Sequence, residues 1–281
     1  MFRRIRNSWE LVKASAGVLR ADKELVVFPI LSAIVMLIVT ASFFVPAILA
    51  GLIDSVLVGE AQVAGAVVGF LFYLVQYFVI FFTNSALVGA ALIRLRGGDP
   101  TVGDGLRIAL SHSGAILGYA LIAATVGMIL RWLSERAGTI GRIVVGLVGL
   151  AWNIATYLVV PVLVMEEVGP VDGVKRSVEL LKRTWGEQIV GGVSIGLIFG
   201  LLSLLVIVAG IPVIVLAANL ESIGLIVGVI AVEIVILLLL GLINSTLSGI
   251  YTAAVYQYAV TGETGGYLSA EMVQGAFRHK G

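Results

Sequence analysis

Apolar and polar positions alternate along this chain in long blocks rather than at short periods. Six stretches, residues 25–53, 61–93, 114–133, 140–165, 188–218 and 223–260, are almost entirely hydrocarbon. Each reaches the roughly 20 residues that an α-helix needs to cross a bilayer core. The segment between the fourth and fifth blocks, residues 166–187, has a different pattern. Val171, Val174, Val178, Leu181 and Trp185 recur at steps of three and four, and Lys175, Arg176, Lys182 and Arg183 fall between them. That spacing predicts a basic amphipathic helix lying in the membrane interface. Residues 1–24 repeat the device, with Phe2, Ile5, Trp9, Val12, Ala16 and Leu19 on one face and Arg3, Arg4, Arg6, Lys13 and Arg20 on the others. Asp22 is placed to cap the helix that follows. Gly97, Gly98 and Pro100 break the chain after the second block, and residues 101–112 can form a short helix. The tail, residues 261–281, is Gly-rich and then weakly amphipathic.

The expected fold is an all-α polytopic membrane protein: one membrane domain, residues 1–281, with six transmembrane helices arranged as three hairpins, each preceded by an amphipathic interfacial helix. Pro46 predicts a kink late in the first span. The second and sixth spans are longer than a bilayer requires, so they tilt or project. The first apolar block is too long for a signal-peptide core and is read as a retained span.

Composition sharpens this in three ways. Charged residues make up 12% of the 281 residues and hydrophobic ones 59%, against about 25% charged in a soluble domain. The net charge of +1 gives no pull toward nucleic acid. Cys is absent and His112 and His279 are the only histidines, so disulfides, thiolate sites and a His-based metal centre are excluded. No cofactor is expected. All Lys and Arg except Arg131, Arg136 and Arg142 fall on the side of the two termini, so both termini are expected in the cytoplasm, with the protein in the cell membrane.

Candidate chemistry is sparse. Glu233 sits about ten residues into the sixth span, where a charged carboxylate costs a few kcal/mol. It should be protonated, paired or turned to a cavity, and is the candidate for proton or cation coupling. Gln76, Asn84, Asn153 and Asn244 are uncharged polar groups within spans; they either bond helices together, at roughly 0.6–2 kcal/mol each, or line a cavity. Gly-x-x-x-Gly steps such as Gly65/Gly69 and Gly114/Gly118 permit close helix approach. Arg3, Arg4, Arg6, Lys13, Lys175, Arg176, Lys182 and Arg183 are candidate contacts for anionic lipid head groups. Glu166, Glu167 and Asp172 form an acidic loop better suited to solvent than to a metal. There is no H-E-x-x-H and no Walker A pattern.

Short matches suggest an internal repeat. Asn84-Ser85-Ala86-Leu87-Val88-Gly89 resembles Asn244-Ser245-Thr246-Leu247-Ser248-Gly249, Ser8–Lys13 resembles Ser177–Lys182, and Asp104-Gly105-Leu106-Arg107 resembles Asp172-Gly173-Val174-Lys175. The central Glu167-x-x-Gly169-Pro170 leading into Lys175-Arg176-Ser177, with Ser8-Trp9-Glu10-Leu11 and Ala276-Phe277-Arg278 at the ends, resembles an uncharacterised prokaryotic family of six-span membrane proteins. More distantly it is similar to the membrane domain of some glycerophosphodiester phosphodiesterases and to YciC-type inner-membrane proteins. The resemblance implies a six-helix inner-membrane protein, with no activity and no functional residues to carry over.

The leading expectation is an integral membrane protein that interacts with or passes lipid or another amphiphile. The alternatives are a small transporter or oligomeric channel with Glu233 in its path, and an accessory subunit of a membrane complex. A homo-oligomer or a further membrane partner is left open. A cavity lined by Asn84 and Asn244 would favour transport, and closed spans with lateral grooves would favour lipid handling.

Overall fold

The computed structural model describes residue 13 and residues 15–57, 61–183 and 187–262. Residues 15–21 are helical. Asp22 then accepts a hydrogen bond from the Glu24 N–H and caps a 3-10 turn, Lys23–Val26, that leads into α1, Val27–Leu49. A short helix α2, Leu52–Leu57, follows between the first two apolar blocks; Val56 packs it against Gly65. Next come α3 (Gln62–Leu95), α4 (Val102–Ser111), α5 (Ser113–Arg136), α6 (Thr139–Ala155), α7 (Val159–Met165), α8 (Pro170–Arg183), α9 (Glu187–Asn219) and α10 (Ile223–Thr261). No strand occurs among the described residues, and six helical stretches are long and apolar enough to cross a membrane. The chain is an all-α, multi-pass membrane protein.

The second and sixth spans, α3 and α10, are unbroken helices of 34 and 39 residues, about 51 and 58 Å long at 1.5 Å per residue. Both outrun a hydrocarbon core of about 30 Å. The fourth span is divided. Residues 156–158 leave the helix between α6 and α7, because Pro161 has no N–H for the Tyr157 carbonyl and its ring crowds that group. Ser177 of α8 repairs the break: its hydroxyl donates to the Ala155 carbonyl at 2.7 Å and accepts from the Leu158 N–H at 3.1 Å.

The core lies at one end of the bundle, where α1, α5 and α9 begin and α3, α7 and α10 finish. Leu25 and Phe28, Ala86–Leu92 of α3, Leu158 and Val162, Leu180, and Tyr251–Tyr256 of α10 are buried there. The short helices α4 and α8 form a collar around this end. A Cβ built on Gly105 of α4 would lie 2.6 Å from the Ala86 carbonyl oxygen, so only glycine lets α4 seat on α3. Gly173 of α8 seats against Leu163 of α7 in the same way. Arg94 ties the collar to the chain entry, donating to Asp99 at 2.9 Å and to the Ala21 carbonyl at 3.1 Å. Toward the far end, large apolar side chains such as Leu37, Leu49, Val63, Ile140, Leu205 and Ile223 are exposed. There α9 and α10 pack chiefly on each other. Lipid tails are as apolar as leucine, so nothing drives these surfaces together.

The face of α8 that packs on the bundle is not the whole apolar stripe read over residues 171–185, of which Trp185 lies outside the described residues. Val171 is 56% exposed, and the buried face of α8 is Gly173, Ser177, Leu180 and Leu181. Smallness and a hydroxyl for the α6–α7 break decide the face, and hydropathy alone did not reveal this. The Gly-x-x-x-Gly steps also work differently from expectation. A Cβ on Gly69, Gly114, Gly196, Gly200, Gly224 or Gly228 would meet nothing within 4 Å among the described residues. Within the steps the close approaches fall at Gly65, which seats Val56 of α2, and at Gly118, which seats Pro170 of α8.

Candidate functional site: a polar cavity between three spans

α3 and α10 run in the same direction and touch through Gly249, whose missing side chain leaves room for Leu87. This contact brings the two Asn-Ser-x-Leu-x-Gly segments side by side. Asn84 and Asn244, with Ser32 of α1 across from them, line a cavity of about 320 Å³. Its other polar lining is Thr83, Ser245, Ser248 and Thr252, and no lining residue is charged. Asn244, Ser248 and Thr252 recur at steps of four and therefore share one face of α10.

Two of the hydroxyls are already occupied by their own helices: Thr83 donates to the Val79 carbonyl at 2.8 Å and Thr252 to the Ser248 carbonyl at 2.9 Å. Asn244 Oδ1 is buried without a hydrogen-bond partner. Among the described residues, the Asn84 carboxamide and the Ser245 and Ser248 hydroxyls also have none. A buried amide left unsatisfied costs about 1–3 kcal/mol, so the cavity gains from any guest that hydrogen-bonds.

The cavity is closed toward the collar and open away from it. Pro29, Leu87 and Thr252, its members nearest the collar, are buried, whereas Ser245 is exposed and Ile80 is 37% exposed at the opposite rim. A second cavity of about 230 Å³, nearer the far end between α1, α2 and α3, is lined by Phe43, Phe44 and Phe72 with no polar side chain.

The other intramembrane polar residues are not part of the Asn84–Asn244 site. Gln76 donates to the Thr40 hydroxyl at 2.8 Å and fastens α3 to α1. Asn153 is exposed on α6. Glu233 lies eleven residues before Asn244, about 16 Å along α10. It is pressed against Gly210 of α9, with Oε1 buried and without a hydrogen-bond partner.

The candidate head-group cations divide as well. Arg3, Arg4 and Arg6 and the Arg183 side chain lie outside the described residues. Lys13 and Lys182 are exposed, and Lys175 is exposed while paired with Asp172 at 2.9 Å. Arg176 turns inward. Its Nε donates to Glu166 at 2.7 Å, which holds the guanidinium pKa above its ordinary value, and Tyr256 donates to the other Glu166 oxygen at 3.2 Å. This triad joins α8 to the ends of α7 and α10.

Sequence reasoning missed Thr40, Ser177, Tyr256 and the serines of the cavity. Hydroxyls in helices satisfy themselves on the preceding turn, so most are silent in a hydropathy pattern. The four-residue spacing of Asn244, Ser248 and Thr252 was the available signal.

The chain belongs to the family of unknown function DUF6159, whose model matches residues 63–266. The match takes in α3 and α10, two walls of the cavity, and leaves out α1 and the segments 1–24 and 267–281. No curated protein and no solved structure matches the chain, and the likeness to glycerophosphodiester phosphodiesterase membrane domains and YciC-type proteins finds no support there.

Proposed function

We propose that this protein takes an amphiphile from the bilayer into the cavity between α1, α3 and α10, with the collar on the cytoplasmic side. The direction of the opening carries this reading. A water-soluble solute from the collar side meets the buried layer of Pro29, Leu87 and Thr252, whereas a molecule already in the membrane reaches the rim at Ile80 and Ser245. The polar end of such a molecule finds hydrogen-bonding groups within an otherwise apolar span, and its tail stays among exposed hydrocarbon side chains. The positive-inside distribution supports the orientation. Exposed Lys175 and Lys182 suit contact with anionic head groups at the surface.

A cavity lined by Asn84 and Asn244 also fits transport of a solute. Against that stands the place of Glu233, the one coupling candidate, which contributes nothing to the lining. Native mass spectrometry of the full chain released from nanodiscs tests the proposal. The expected result is a lipid retained at fixed stoichiometry and lost in Asn244→Leu. Equal, non-stoichiometric lipid adducts in both proteins would sink it.

A further inference from the structure

We infer that the amphiphile held in this cavity carries a neutral, hydroxyl-bearing head of the diacylglycerol class, and that charged phospholipid heads are rejected. The inference rests on the reading of the cavity as an amphiphile site and adds the chemistry of its ligand.

The lining determines that chemistry. The groups left without partners are the Asn84 and Asn244 carboxamides and the Ser245 and Ser248 hydroxyls. Each carboxamide offers two N–H donors and one acceptor oxygen, and each hydroxyl both donates and accepts. A head with a free hydroxyl beside ester carbonyls answers this mixture: its hydroxyl donates to Asn244 Oδ1, and its carbonyls accept from the amide and serine donors. A phosphate offers acceptors only and would bring a negative charge with no cation to meet it. The cations of the collar lie beyond the buried layer of Pro29, Leu87 and Thr252, and Arg176, half-buried among them, is engaged by Glu166. Removing a charged head from water without a counter-charge is far costlier than removing a neutral one that is fully hydrogen-bonded.

Size agrees. The cavity volume of about 320 Å³ corresponds to roughly ten water molecules at about 30 Å³ each. That holds a glycerol head and its ester groups while the acyl chains leave through the open rim.

The test uses the full chain in phosphatidylcholine nanodiscs containing a trace of diacylglycerol with a photoactivatable diazirine in the first methylenes of one acyl chain. Adducts are expected on α1, α3 or α10 around Ile80 and Ser245. Unlabelled diacylglycerol should compete at least about tenfold better than phosphatidylglycerol or phosphatidic acid at the same mole fraction. Asn244→Leu should lower the yield about fivefold or more. Should that variant fail to fold, Ser248→Ala, which removes one hydroxyl, should still lower it about twofold. Site-specific adducts that phosphatidylglycerol or phosphatidic acid displaces as well as diacylglycerol does would overturn the neutral-head assignment and leave the amphiphile site standing. Adducts spread along all lipid-facing helices and insensitive to both substitutions would overturn the site and this inference together.

Discussion

The two ends of the bundle are built on different rules. At the collar end, glycines seat helix on helix, Ser177 completes a broken backbone ladder, and side-chain hydrogen bonds such as Arg94 to the Ala21 carbonyl and Tyr256 to Glu166 join segments far apart in sequence. At the far end, the helices expose large apolar side chains and carry few cross-helix bonds. The difference follows the solvent. In hydrocarbon a helix needs only its own backbone hydrogen bonds, so tertiary packing is concentrated where the chain leaves the lipid. Matched substitutions at the two ends put this to the test, each read as a change in unfolding stability in nanodiscs or mild detergent.

The largest contrast is expected between two glycines. Gly105→Ala drives a methyl into the Ala86 carbonyl and Phe28 and should cost about 2–3 kcal/mol. Gly69→Ala meets open space and should change stability by less than about 0.5 kcal/mol. Equal losses would mean that the far end is packed as tightly as the collar. Next are two serines. Ser177→Ala leaves the Leu158 N–H and the Ala155 carbonyl without their partner and should cost about 1–3 kcal/mol. Ser42→Ala only removes a hydroxyl that bonds its own helix at Val39 and should be close to neutral; a loss there as large as at Ser177 would break the comparison.

Two ion pairs give a smaller difference. Glu166→Gln weakens the bonds from Arg176 and Tyr256 and should cost about 1–2 kcal/mol. The Arg131–Glu135 pair near the far end is exposed on both sides, and Glu135→Gln should cost under about 0.5 kcal/mol. A double-mutant cycle with each arginine reads the coupling directly. The smallest expected effect is a pH dependence at the collar. The hydroxyl and N–H of Thr101 hold the Asp104 carboxyl below its ordinary 3.8. A lowered acid pKa means that the folded state binds fewer protons. The stabilisation is therefore complete above the ordinary carboxylate value and is lost as pH falls through the folded one. Asp104→Asn should flatten the acid limb of the stability–pH curve, and an unchanged limb would remove the capping box from the account.

Six apolar blocks of spanning length made the fold legible before any geometry was known, because the bilayer imposes length and hydropathy on every crossing. Asn84 and Asn244 were legible for a different reason, since each opens one of two similar Asn-Ser-x-Leu-x-Gly stretches. The repeated Asp-Gly pairs also have a common structural job, since Gly105 and Gly173 each seat a collar helix on the span before it. What stayed hidden depended on partners distant in the chain. Pro161 lay inside an apolar block of spanning length, and nothing local told that the helix would break before it or that Ser177 would close the gap. The face of α8 that packs on the bundle was not legible because Gly173 and Ser177 face inward by virtue of size and hydrogen bonding, whereas Val171 is exposed. Of the named Gly-x-x-x-Gly steps, Gly65 and Gly118 seat a neighbouring helix and Gly69 and Gly114 meet nothing within 4 Å: a spacing tells that helices can approach, not which glycine the neighbour meets.

The centre of the core comes from the last third of the final helix, where residues 246–257 of α10 are buried save for half-buried Ser248. During synthesis, therefore, five crossings are made before the segment that closes the bundle exists. Until it emerges, α3 presents the Asn84 face and the Ala86–Leu92 ridge without a mate, and the cavity between α1, α3 and α10 has no third wall. The bundle core is completed by the sixth crossing, and a chain halted before residue 223 would carry five crossings and lack the Asn244 wall of the cavity.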